Sequence, residues 1–160
     1  MIKVLFLSLV FQISVYFSPA GGTQKAIIDE INAAQNTKIE VLSYSFTSKP
    51  LADALIAAKS RNCQVIVVLD RKESLQASSQ RRNLVNAGIK VYTDSKHLIM
   101  HDKVILIPEN QVLITGSYNF TNNAEQNNAE NCLIIKQEPE LLQKYQQNFD
   151  IHKNHAIPVN

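Results

Sequence analysis

His101, Asp102 and Lys103 open an apolar run at residues 104–107, and Gly116, Ser117, Tyr118 and Asn119 follow a second run at 112–114. Both runs are rich in β-branched residues and are separated by the polar Glu109-Asn110-Gln111, which predicts a β-hairpin. Side chains two apart in a strand share a face, so His101 projects with Lys103, and Ser117 with Asn119. Register decides whether the two pairs meet. A two-residue loop pairing Pro108 with Gln111 sets His101 opposite Tyr118, whereas a three-residue loop pairing Pro108 with Val112 sets His101 opposite Asn119 and Lys103 opposite Ser117. The second register is expected, because it gathers an imidazole, an ammonium, a hydroxyl and a carboxamide on one face. Those groups suit phosphoryl chemistry. A neutral imidazole can attack phosphorus, while Lys103, Asn119 and backbone N–H groups neutralise charge on the non-bridging oxygens, so neither a metal nor another cofactor is required.

The spacing resembles the motif of the phospholipase D superfamily, H-x-K-x-x-x-x-D followed after six residues by G-S-x-N, and Glu130 in Ala129-Glu130-Asn131 resembles a further feature of that family. The likeness is greatest to its small bacterial members with one motif per chain, the metal-independent, EDTA-resistant endonucleases. It covers most of the chain in outline, and its specific part is the motif. One position departs from the pattern. Counting forward from Lys103, the family aspartate falls on Pro108; counting back from Gly116, it falls on Glu109. A one-residue insertion in the hairpin turn reconciles the counts and leaves Glu109 as the acidic stand-in, with a supporting role. The resemblance implies His101, Lys103, Asn119 and Glu130 as the catalytic set, with Gly116 and Ser117 binding substrate. It also implies two His-Lys sets facing each other. This chain carries one, so a homodimer with the active site on its two-fold axis is expected.

With 160 residues and 45% apolar content the chain can bury one core. A net charge of +2 excludes a polycationic nucleic-acid coat. The distribution is uneven: residues 1–103 hold 13 Lys/Arg against 8 Asp/Glu, and the remainder holds 3 against 6. Arg71, Lys72, Arg81, Arg82, Lys90 and Lys96 precede the motif and could guide a polyanion, although each is equally at home on a solvated surface.

Residues 1–14 read as an export signal or an envelope anchor, from Lys3 and the apolar stretch behind it, with small residues at Ser14, Ser18 and Ala20. The expected location is therefore periplasmic, secreted or envelope-associated, with a cytoplasmic protein whose first strand is apolar as the alternative. Residues 15–160 form the single catalytic domain, starting with a strand near 15–19. Gly21-Gly22-Thr23 supplies a turn and N-cap for a helix to about Gln35, and a strand spans 38–46. Ser48-Lys49-Pro50 starts a second helix, and a strand buried on both faces covers 64–69. A polar, basic helix is expected from about Ser74 to Ala87, ended by Gly88, and then a strand at 89–92. Pro139 opens a last helix with the stripe Leu142, Tyr145, Phe149. The expected fold is α/β, a mixed β-sheet flanked by helices on both faces and phospholipase D-like. Cys63 and Cys132 are read as buried free thiols, His152 and His155 as a solvated tail, and nothing in the sequence positions His97.

The leading function is a metal-independent phosphodiesterase, an endonuclease cleaving DNA or RNA, and the resemblance implies that it works through a phosphohistidine at the homodimer interface. Glu130 is expected to accept a hydrogen bond from His101 and fix its tautomer. Two alternatives stand beside it. One is a phospholipid hydrolase held on a membrane by the apolar N-terminus. The other is a non-catalytic nucleic-acid-binding module, motivated by Pro108.

Overall fold

The computed structural model describes residues 11–159, so most of the 1–14 segment lies outside the described residues. Eight strands form one mixed sheet in the order β1-β7-β6-β5-β2-β3-β4-β8. The strands are β1 (Gln12–Ser18), β2 (Lys38–Ser43), β3 (Gln64–Asp70), β4 (Lys90–Asp94), β5 (Lys103–Ile107), β6 (Val112–Gly116), β7 (Glu130–Lys136) and β8 (Ile157–Val159). β2, β3 and β4 run parallel, joined by right-sized helical crossovers, and every other pairing is antiparallel. The helices are α1 (Thr23–Ala33), α2 (Lys49–Lys59), α3 (Arg71–Ser74), α4 (Arg81–Asn86), α5 (Asn122–Gln126) and α6 (Pro139–His155).

The period-2 pattern of the strands sorts the core into two layers. Ile39, Val41, Val65, Val67, Ile105 and Ile114 meet Ile27 and Ile31 of α1, Leu51 and Leu55 of α2, Leu84 of α4 and Ala124 of α5. On the other face Leu42, Ile66, Val68, Val104, Leu106 and Leu113 pack under Phe149, Tyr145 and Leu142 of α6. Both cysteines are buried free thiols as expected, and burial pushes Cys132 up to about 12.

Local chemistry explains where elements begin and end, and where expectation and structure part. Ser48 caps α2 by accepting the Leu51 N–H, with Pro50 in the first turn, as read from the sequence. At α1 the cap is Gly22 in a left-handed conformation rather than Thr23, which is the first helical residue. The strand expected to reach Phe46 ends at Ser43, and Phe46 makes an isolated bridge to Phe120. The helix expected over 74–87 is broken into α3 and α4. Asp70 caps the first piece, and the Gln80 N–H and side-chain amide are claimed by the carbonyls of Phe46 and Thr47, which pulls the intervening loop out of helical geometry. Gly88 (φ 72°) ends α4 as expected, with the Ile89 N–H returning to Leu84. His152 and His155 are not a solvated tail. They lie in the last turn of α6 and point onto Asp94, and the chain continues into β8, which adds an edge strand to β4.

Glu40 is the odd residue of the α6-side layer. It lies between Ile66 and Leu106 on neighbouring strands, is 4% exposed, and leaves Oε2 without a partner among the described residues. Burial raises its pKa above the ordinary carboxylate range, outweighing the Gln146 hydrogen bond and Lys38. A raised folded value means that this group's contribution is fully present below the unfolded pKa and is lost as pH climbs through the folded one. Glu40→Gln is therefore expected to stabilise the protein by about 1 kcal/mol at neutral pH, the order of relieving a poorly satisfied buried polar atom. The gain should vanish below pH ~4, where the unfolded carboxyl is also protonated. Urea midpoints at the two pH values check this.

Candidate active site

The C-terminal ends of the parallel strands lie at one edge of the sheet, where β5 and β7 begin and β6 ends. In α/β sheets such an edge is where backbone ends and loops can surround a ligand. Backbone hydrogen bonds zip three segments together there. Tyr44 N–H donates to the Asp102 carbonyl, and the N–H groups of Thr47 and Ser48 both donate to Phe120. His101, Lys103, Gly116, Ser117, Asn119 and Glu130 consequently line one cleft of about 360 Å³.

They converge by a different route from the expected register. β5 and β6 pair Ile107 with Val112 and Val104 with Thr115, which continues to Pro108 opposite Gln111, not Val112. A 3-10 turn over Pro108–Asn110 and a left-handed Gln111, whose N–H returns to the Pro108 carbonyl, close the hairpin and set this register. On its own it would leave His101 opposite Tyr118. The correction comes beyond the strand end, where the N–H groups of Ser117 and Tyr118 both donate to the Asn131 carbonyl. Two residues therefore oppose one, a β-bulge that shifts the alternation by one and returns Ser117 and Asn119 to the His101 side. Gly116 permits the close approach, since a Cβ there would collide with the Asn131 carbonyl oxygen.

Each side chain has a defined environment. The exposed His101 ring stacks against Tyr44 at 4.6 Å between centroids, tilted by 55°. Lys103 is 6% exposed; its Nζ donates to the His101 carbonyl at 2.6 Å and sits 5.1 Å from the Tyr44 ring centre. Burial pushes the Lys103 ammonium below its ordinary pKa, and Asp102 and Glu130 pull it part of the way back. With one of three ammonium hydrogens used within the chain, Lys103 retains donors for an anion. Asn119 lines the cleft, and its Oδ1 is buried without a partner among the described residues.

Glu130 does not receive His101. Its Oε2 accepts the Ser117 hydroxyl at 2.6 Å and its Oε1 the Asn128 amide at 3.0 Å, while Ser117 Oγ in turn accepts the Asn131 N–H at 3.0 Å. The bulge explains this too, because it turns Ser117 toward the start of β7. Glu109 lies at the turn end of the hairpin, away from the cleft. It accepts the Lys38 N–H at 3.0 Å and the Thr37 hydroxyl, clamping the turn to the start of β2. Its carboxyl is held below the ordinary range, burial being outweighed by those two hydrogen bonds.

The two aromatics that follow β2, Tyr44 and Phe46, part ways in the structure. Phe46 is buried against Phe120, but Tyr44 walls the site beside His101 and Lys103. No sequence signal separates the two, since residues two apart share a face in an extended chain and β2 ends before them. A neighbouring polar groove of about 460 Å³ is lined by Tyr44, Ser45, Thr47, Asn119, Thr121 and Asn128, among others, and Asn119 belongs to both depressions.

The profile of the family described as "Cardiolipin synthase, PLD-like domain" matches residues 27–153. The chain belongs to the phospholipase D-like family. Within this family it is 38% identical over 138 residues to a phospholipase D of Rickettsia bellii, covering 86% of this chain and 67% of the relative. It is 37% identical over 114 residues to a mitochondrial cardiolipin hydrolase of Danio rerio, spanning 71% of this chain and about half (49%) of that protein. Among solved structures it is similar to Nuc, a phospholipase D family member from Salmonella typhimurium, with a TM-score of 0.88 and 32% identity over 94% of this chain and 99% of that one. NucT from Helicobacter pylori shares the fold at 23% identity and a TM-score of 0.85. The α/β phospholipase D-like fold and the small single-motif form expected from the sequence are thus found, and phosphodiester hydrolysis fits the family.

Proposed function

We propose that this protein is a metal-independent phosphodiesterase that cleaves nucleic acid as a homodimer. The observation that carries the reading is the continuity of the His101 cleft with an open groove of hydroxyls and amides, through Asn119. Such a groove can follow a sugar-phosphate backbone, and Tyr44 offers an aromatic face for a base. It would be a poor bed for acyl chains. The likeness to Nuc along nearly its whole length supports the same choice.

In the proposed reaction a ring nitrogen of His101 attacks phosphorus and forms a P–N bond as the P–O bond to the leaving strand breaks. His101 of the second subunit gives its proton to that oxygen. The now neutral second imidazole takes a proton from water, whose oxygen displaces His101 from phosphorus. Lys103 and Asn119 of both subunits hold the non-bridging oxygens throughout. One imidazole must start neutral and the other protonated, so kcat/KM should trace a bell against pH.

A second reading, hydrolysis of a phospholipid head group, is favoured by one feature. Phe11, just before β1, and Ile13, Val15 and Phe17 on it expose an apolar stripe, and Leu98 and Ile99 are exposed just before His101. Attachment to an envelope through residues 1–14 belongs to that reading, and among the described residues no helix is long and apolar enough to cross a membrane. The deciding experiment offers circular single-stranded DNA, circular duplex DNA, RNA and phospholipid vesicles in excess EDTA, with folding checked in the same buffer. Cleavage of the circles is expected. Turnover of vesicles alone would overturn the nuclease reading in favour of lipid, and nucleic-acid binding without turnover would favour the non-catalytic module.

A further inference from the structure

At the same sheet edge, beyond β4, three imidazoles converge on one carboxylate. Asp94 Oδ2 lies 3.0 Å from His97 Nδ1, 2.7 Å from His152 Nδ1 and 2.9 Å from His155 Nε2. The four donor atoms all lie within 4.8 Å of one another, and the three rings surround the point with centroids 4.9, 5.3 and 5.5 Å apart. Asp94 is 1% exposed. Nothing in the phosphodiesterase chemistry uses this cluster.

A hydrogen-bond account of the cluster is incomplete. A carboxylate oxygen offers two lone pairs, yet three ring nitrogens are aimed at Oδ2, and protonating all three would crowd like charges around one acid. Two further polar atoms of the cluster, Asp94 Oδ1 and His152 Nε2, are held in a way that turns donors inward. Asp94 Oδ1 accepts the Lys96 N–H at 2.8 Å and the His97 N–H at 3.4 Å, fixing the carboxylate. His152 Nε2 lies 3.3 Å from Asp102 Oδ2, so a proton on Nε2 leaves Nδ1 as a lone-pair donor. A carboxylate behind the far nitrogen of a ligating histidine is how metal sites set the tautomer. His152 and His155 are i,i+3 neighbours on one face at the C-terminal end of α6, where the helix dipole favours a cation.

We propose that Asp94, His97, His152 and His155 form a four-coordinate site for a divalent transition metal, with zinc as its ligand. Three imidazoles and one carboxylate without thiolate are donors of the kind zinc takes, and four protein donors make a closed, structural site. Tetrahedral zinc needs donor atoms roughly 3.3 Å apart, given bonds of ~2.0–2.1 Å; Asp94 Oδ2 sits 2.7–3.0 Å from the ring nitrogens and the four atoms lie within 4.8 Å, so binding moves the carboxylate back from the rings as they close on the ion. The ion would tie the 94–97 loop to the end of α6 and, through Asp102, to the segment that carries His101 into β5. It would take no part in hydrolysis.

The test uses the full chain, stripped of metal by dialysis and returned to chelator-free buffer. Addition of Zn²⁺ should give one bound ion per chain by elemental analysis and raise Tm, and Co²⁺ should develop the intense visible bands of tetrahedral cobalt. The His97 side chain is 45% exposed and that of His155 17%, so His97→Ala and His155→Ala are expected to keep the fold, which circular dichroism checks. Each should weaken Zn²⁺ binding at least tenfold, about the lower end of the effect of removing even an outer-shell partner. His101→Ala should retain the ion and the cobalt bands, which separates this site from the hydrolytic one and makes the outcome independent of what the enzyme cleaves. No stoichiometric ion in the intact protein, or an ion kept by both His97→Ala and His155→Ala, would overturn the proposal.

Discussion

Replacing His101 by alanine is expected to lower phosphodiester turnover by about 10⁴-fold or more, the scale of losing a nucleophile and an acid together. The fold should not change. The ring is exposed, its contact is the stack on Tyr44, and the group that holds Lys103 is the His101 backbone carbonyl, which alanine keeps. DNA affinity should therefore survive, moving the loss into kcat. The two-subunit mechanism makes a sharper demand. When equal amounts of intact and His101→Ala chains are mixed and allowed to re-pair, about a quarter of dimers carry two imidazoles under random pairing, and activity should fall toward that fraction. Activity in proportion to the intact chain, near half, would mean that each subunit works alone. Gel-based cleavage rates before and after subunit exchange read the difference.

The second large effect concerns the surface that would bring two sites together in the proposed homodimer. Ile13, Val15 and Phe17 alternate along β1 and are each more than half exposed, on the face where α6 covers the central strands but not this edge. β1 runs antiparallel to β7 with Ser18 opposite Glu130, so the stripe leads to the cleft. An exposed apolar row beside a half-complete site fits a second copy of the chain. Val15→Asp combined with Phe17→Asp is expected to weaken the dimer at least ~100-fold, because every substitution occurs twice in an isologous contact. Sedimentation should change from twice 18.0 kDa to that mass, and cleavage should fall with it. A monomer that still cleaves at full rate would refute the shared-site mechanism, whereas an intact, active dimer would move the interface elsewhere on the molecule.

Much of this was legible in residue order. The β-branched runs of β3 and of the β5–β6 hairpin, the Ser48 cap with Pro50, Gly88 after α4 and the stripe of α6 are local signals, decided by periods of two or 3.6 and by capping chemistry. The cleft residues were legible for a related reason, since they sit within a few residues of strand ends whose alternation is simple to count. Expectation failed where a distant group overrode a local preference. Gln80 bonding to the segment after β2 broke the helix expected over 74–87, and Ser117 bonding to Glu130 displaced the His101 contact foreseen for that acid.

By itself, then, the sequence determined the α/β class, the order of most elements and the residues able to do phosphoryl chemistry, because each follows from interactions between near neighbours in the chain. Only the tertiary structure decided the bulge at Ser117 and Tyr118 that brings Asn119 to His101, the pairing of β8 with β4, and the meeting of Asp94 with His152 across 58 positions. Those contacts join segments whose separation along the chain carries no periodic signal, and they form only once the sheet has set where strand ends lie.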